Sequence, residues 1–194
     1  MLRTIATALL AAGLLTAVVE SRLADAAKGG DRAAVLELLR QKADPNSTEP
    51  DGTTALHWAA YNEDAAMAKA ILDAGAKVDA VNRYGVTPLS VACKAGSAVL
   101  VQALLKAGAN VNLALPGGET PLMTASRTGK LDAVRVLLAH GAEVNAKEDF
   151  TGQGAMIWAA AEGNAEVIEA LAAAGADVNE RLDSGFSPIL FAAR

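Results

Sequence analysis

One cysteine, Cys93, is all that the 194-residue chain contains. An intramolecular disulfide is therefore impossible, and no Cys/His spacing resembles a zinc site, so no metal is expected. Aromatics are scarce as well, at 4% of residues, although 52% are apolar. A core built mainly from Ala, Leu and Val follows, which suits alanine-rich helices. Positive charge is not in surplus: 17 Lys and Arg against 22 Asp and Glu leave a net charge of −5. With no basic field to draw in phosphate backbones, nucleic acid is excluded as an expected partner. The length fits one domain with a sizeable core.

An apolar run long enough to cross a bilayer is also missing. The longest, Ile5 to Val19, is about 15 residues, short of the roughly 20 that a spanning helix needs. Arg3 precedes it, and Thr7, Gly13 and Thr16 relieve it, which is the layout of a secretory signal peptide. Residues 1–21 are assigned to that peptide, with Ala17 or Ser21 at the last signal position. No cysteine directly follows the run, so no lipoprotein anchor is expected. The expected location is periplasmic or secreted, with no stable membrane insertion after cleavage.

What the chain does have is a repeat. GTTALHWAA, GVTPLSVAC, GETPLMTAS, GQGAMIWAA and GFSPILFAA begin at Gly52, Gly85, Gly118, Gly152 and Gly185, spaced by 33, 33, 34 and 33 residues. A second segment recurs in constant register: AGAKVDA, AGANVNL, HGAEVNA and AGADVNE. Between the two lie stretches such as AVLVQALLK with apolar residues at helical spacing. Thr54, Thr87 and Thr120 stand where a hydroxyl can cap a helix, and Pro88, Pro121 and Pro188 follow at the first helical position. Gly75, Gly108, Gly141 and Gly175 close the second helices in the left-handed conformation. The cap has Lys42 at its second-helix end, the second unit has Glu63 between its helices where Gly96, Gly129 and Gly163 stand in others, and Gly154-Ala155 replaces Thr-Pro in the fifth unit. Repeats two and five are therefore expected to be the looser ones.

These motifs closely resemble the ankyrin repeat, with its turn, T-P-L-H-x-A-A, second helix and G-A-D-V-N. The resemblance, to exported bacterial ankyrin-repeat proteins, implies an all-α solenoid of stacked helix-turn-helix units with hairpin-like finger loops. The divisions are a signal peptide (1–21), an N-terminal capping repeat (22–51), full repeats (52–84, 85–117, 118–151 and 152–184) and a truncated repeat (185–194). Because the sixth unit stops after its first helix, a protein continuing past Arg194 is expected.

No catalytic constellation is visible, so no enzyme activity and no cofactor is expected. Cys93 sits in a small-residue core position with no base beside it. His57 holds the H of the TPLH-like motif, whose histidine in this family bonds neighbouring backbone, and His140 stands at a helix C-terminus. Glu148 and Asp149 read as surface charges of a solvated loop. Trp58 and Trp158 share one repeat position, which faces the inter-repeat core in the resembled family. The Lys and Arg that nucleic-acid stacking needs around them are absent.

In that family partner proteins dock on the concave side, formed by finger tips and the exposed face of the first helices. Carried over by repeat position, this selects Tyr61, Asn62, Arg83, Tyr84, Lys94, Glu119, Arg127, Phe150, Gln153, Arg181 and Phe186, with Tyr84, Arg127 and Phe150 near the centre. Tyr and Arg are frequent interface anchors. The expected function is a non-enzymatic protein–protein interaction module outside the cytoplasm. The alternatives are the recognition portion of a larger exported enzyme or sensor, or a secreted effector directed at a host.

Overall fold

The computed structural model describes residues 22–179 together with Arg181 and Ser187. The signal-peptide assignment, Pro188, Phe186 and the truncated sixth unit fall outside the described residues.

A helix over residues 22–28 (α1) opens the array. It is followed by α2 (Arg32–Arg40), α3 (Ala55–Tyr61), α4 (Ala65–Asp73), α5 (Pro88–Ala95), α6 (Ala98–Lys106), α7 (Pro121–Arg127), α8 (Leu131–Ala139), α9 (Ala155–Ala161) and α10 (Ala165–Ala173). Odd-numbered helices α3, α5, α7 and α9 pack in sequence on one side; even-numbered helices α2 to α10 do so on the other. From α2 onward each helix touches its counterpart one repeat away, so the described residues form an all-α solenoid with no named strand. The fingers are held by single backbone pairs such as Asn82 N to Val86 O at 3.1 Å and Leu115 N to Glu119 O at 2.8 Å.

The core follows the period. Ile71, Leu104, Leu137 and Leu171 are one repeat position, and all are fully buried. Ala59, Ala92, Ala125 and Ala159 form a second buried row, small enough for neighbouring first helices to approach closely. No single unit can bury these rows; stacking does, at roughly 1.5–3 kcal/mol per large aliphatic side chain.

The first helices start where the sequence marks them. Thr54, Thr87 and Thr120 each accept from the backbone N–H three residues on, and that third residue answers with a different acceptor each time. His57 Nδ1, Ser90 Oγ and Met123 Sδ accept from the three cap N–H groups at 3.2, 3.0 and 3.4 Å. In the fifth unit the first helix follows Gly154 with no side-chain cap. Lys42 and Glu63 are left-handed, at φ 62° and 55°, while glycines occupy the equivalent places in the other described units. Each such side chain costs on the order of 1–2 kcal/mol.

Above the second helices an asparagine ladder ties unit to unit. Asn46, Asn112 and Asn145 each accept from a backbone N–H of the next unit and donate to a glycine carbonyl there. Asp79 stands in the same row and accepts from Asn110 N with both carboxylate oxygens at 3.1 Å. It has no hydrogen to donate to the glycine that follows.

Candidate functional site

Between the first helices and the fingers, a groove of about 490 Å³ opens over α5 and α7. That volume is in the range that holds a ligand or several side chains of a partner. Its floor is apolar, made by Val86, Val91, Ala95 and Leu115, and Tyr61, Lys94, Glu119 and Arg127 stand around it.

The groove exists because of what occupies the fourth position of each first helix. In α3 that residue is Trp58 and in α9 it is Trp158; in α5 and α7 it is Val91 and Thr124. The two central units thus lack the indole that the flanking units carry. Both tryptophans are half-buried against the core rather than enclosed by it. Each has a cation on its open face, contrary to the sequence expectation. Lys28 Nζ lies 4.7 Å from the Trp58 ring centre, and Arg127 Cζ lies 4.7 Å from that of Trp158. Acids hold those cations in place: Glu49 pairs with Lys28 at 3.1 Å and accepts from Trp58 Nε1 at 2.8 Å, while Glu119 pairs with Arg127 at 3.2 Å. Thr124 donates its hydroxyl to the same Glu119 oxygen at 2.7 Å.

Four of the residues chosen from sequence, Tyr61, Lys94, Glu119 and Arg127, therefore meet at one groove. Tyr61 stands edge-on to Trp58, with ring centres 5.7 Å apart. The others lie elsewhere. Asn62 ties α3 back to α1, donating to Ala27 O at 2.7 Å. Arg83 bridges two fingers through Pro50 O at 2.8 Å. Tyr84, 64% exposed, sits on the finger row, as does Phe150, 83% exposed and the most open large apolar side chain described. Gln153 closes the same finger as Phe150 through its backbone, and Arg181 is exposed beyond it. Val86, Val91, Leu115, Ser90, Ala95 and Thr124 complete the groove, and of these only Val86 stands at a repeat position chosen from the sequence, that of Glu119 and Gln153. The signal for them was present, as the break in the row of tryptophans.

Glu148 departs from its sequence reading. It is 7% exposed, not a freely solvated loop charge. Phe150 N donates to its Oε2 at 2.7 Å, and Thr151 N and Gln153 N donate to Oε1 at 2.8 and 3.0 Å, joined by the Thr151 hydroxyl. Burial would raise its carboxyl, but the Thr151 hydroxyl and these converging N–H groups overcome that and hold it down to about 2. The finger has one residue more than its counterparts, and Glu148 organises the excess. In consequence Phe150 is presented from a fixed loop.

The remaining chemical candidates are structural. His57 Nδ1 accepts from the Thr54 N–H, so Nε2 carries the proton and donates to Val86 O at 3.0 Å. Burial, opposed by that bond and by Asp51, keeps its charged form disfavoured. His140 links to Val136 O at 2.9 Å and to Gln102 at 3.0 Å. Burial pushes the Cys93 thiol up to about 12 and denies it thiolate character. Among the described residues no group of acids, histidines and cysteine is placed to hold a metal ion, and no helix is long and apolar enough to cross a membrane.

The family profile of ankyrin repeats, in three copies, matches residues 23–115 and again 100–181. Among curated proteins, the palmitoyltransferase akr1 of Schizosaccharomyces pombe (strain 972 / ATCC 24843) is 42% identical over 57 residues, which is 29% of this chain. The matched stretch spans 9% of that relative's length.

Proposed function

The chain belongs to the ankyrin-repeat family, whose repeats are protein-interaction modules, and on that premise we propose that it is a non-enzymatic module that holds a partner protein on its concave face outside the cytoplasm. The observation that carries this reading is the groove over α5 and α7, apolar in its floor and charged at its rim, open on the side made by first helices and fingers. An apolar centre with a polar rim is the anatomy of a protein interface. The apolar run behind Arg3 supports the location.

The test uses the protein lacking residues 1–21, immobilised and exposed to a periplasmic extract, beside Tyr61→Ala and Lys94→Glu variants. Both substitutions lie on exposed side chains, so melting temperatures should stay within a degree or two while capture of the partner falls. Undiminished capture by both variants refutes the groove as the binding surface. A reporter phosphatase that is active only after export, fused behind residues 1–51, checks the location. An active fusion beside an inactive control that lacks residues 1–21 supports export; an inactive fusion refutes it.

A further inference from the structure

The repeat itself indicates what the groove lacks. Lys28, Tyr61, Lys94 and Arg127 are one repeat position, and Trp58, Val91, Thr124 and Trp158 are another. On both sides of the groove the cation of one unit covers the indole of the next: Lys28 on Trp58 and Arg127 on Trp158, each at 4.7 Å. Lys94 holds the same place as those two cations, and the residue it faces in the next unit is Thr124. The cation is present and the ring is not.

The acids are missing in the same spot. Glu49 neutralises Lys28 and Glu119 neutralises Arg127. The positions that correspond to these two acids around Lys94 are Leu115 and Val86, both apolar and both in the groove lining. Lys94 makes no ion pair among the described residues. Around this one lysine, then, the array drops an aromatic ring and a carboxylate together and leaves an open hollow in their place. In a chain of net charge −5, the groove carries Lys94 as an uncompensated positive charge beside the balanced Arg127 and Glu119 pair.

We propose that the partner supplies both missing groups: a segment with an aromatic side chain that lies over Thr124 beneath the Lys94 ammonium, and a neighbouring Asp or Glu that pairs with it. The ring replaces the absent indole, and its face meets the cation as Trp58 and Trp158 meet theirs. The carboxylate takes the role of Glu49 and Glu119. The apolar floor receives the rest of the segment. This inference rests on the concave-face reading above and narrows it to an aromatic–acidic peptide.

The experiment is a selection of random dodecapeptides on the full chain, followed by affinity measurement with one selected synthetic peptide. Enrichment of an aromatic residue within about two positions of Asp or Glu is expected. Lys94→Gln should weaken the peptide about tenfold and Lys94→Arg by less than about threefold, the difference reporting the cation. Replacing the peptide's aromatic residue by Leu, or its acid by the matching amide, should each weaken binding similarly. Thr124→Trp builds the indole into the array and should abolish binding; if that variant does not melt cooperatively, Lys94→Gln and the peptide variants decide. No enrichment, enriched peptides without the aromatic–acid pair, or binding indifferent to Lys94→Gln overturns the proposal. A chain that loses its partner through Tyr61→Ala and Lys94→Glu yet selects other peptides keeps the interaction-module reading and sinks only this one.

Discussion

Glu148 offers the sharpest test of how the fingers are built. Glu148→Gln keeps the shape of the side chain but removes its charge and turns one acceptor into an amide donor. That amide then opposes either the Phe150 N–H or the cluster of Thr151 and Gln153 donors, all now within 3.0 Å of carboxylate oxygens. A carboxyl held at about 2 against an ordinary value of 4.5 sets a ceiling of about 3 kcal/mol at 1.36 kcal/mol per unit. Water reaches a surface finger and competes for its donors, so a loss of about 1–2 kcal/mol is expected. For a chain of this size that corresponds to a fall in melting temperature of roughly 2–8 °C at neutral pH. The pH dependence has a definite sign. Because the folded carboxyl titrates below the unfolded one, its contribution is complete above pH 4.5 and disappears as pH falls toward 2. The gap between the two proteins should close across that window. Hydrogen exchange at the Phe150, Thr151 and Gln153 amides should accelerate in the variant, because those are the bonds it removes. Equal melting temperatures at neutral pH, unchanged exchange at these amides, or a gap that persists at pH 2 would refute the argument.

Other perturbations test other parts of the array. Glu63→Gly removes a left-handed side chain at φ 55° and should raise stability by up to about 1 kcal/mol in denaturant melts, with slower exchange in α3 and α4; destabilisation refutes the strain. Asp79→Asn restores the donor that Asn46, Asn112 and Asn145 use, giving a bond to Gly108 O and a gain of about 0.5 kcal/mol, and a measured loss would show that the carboxylate's double acceptance matters more. His57 is held neutral by burial, so its contribution is complete above pH 6.5 and declines as pH falls below it. His57→Gln should flatten that part of the stability profile, and identical pH profiles for the two proteins would contradict the assignment.

Much of the fold was legible because the same statement is made several times in one sequence. A threonine before Pro-Leu reads as a cap once; at Thr87 and Thr120, in constant register with a closing glycine, it fixes the helix starts, and the structure has caps there. The misfit residues were legible for the same reason. Lys42 and Glu63 stand out only against the glycines of their row, and both are left-handed as that row requires. Glu148 was not legible, because its environment is made by backbone N–H groups of an irregular six-residue closure, and sequence carries no periodic mark of where those point. The tryptophans were half legible. Their shared position was plain, but that Lys28 and Arg127 from the preceding unit lie on them depends on the offset between stacked helices, which only the packed array supplies.

The same logic explains why most of the groove's floor escaped a residue-by-residue reading that had found Tyr61, Lys94, Glu119 and Arg127 around it. Val91, Thr124, Val86 and Leu115 are ordinary fillers when each is taken alone, and none carries a reactive group. They become informative when set against Trp58, Trp158, Glu119 and Glu49, the residues that fill those repeat positions elsewhere. A stack in which each unit touches only its neighbours can lose an indole from two adjacent units, and the acids around one lysine, without unravelling the rows beneath, since Ile71, Leu104, Leu137 and Leu171 remain continuous. The buried rows hold the period, which leaves the outward positions free to break it. Where several of them break it around a single lysine, the lost contacts leave a hollow whose shape and charge are those of the groups removed. Recognition in such an array is written in the exceptions to its repeat, and the exceptions here converge on Lys94.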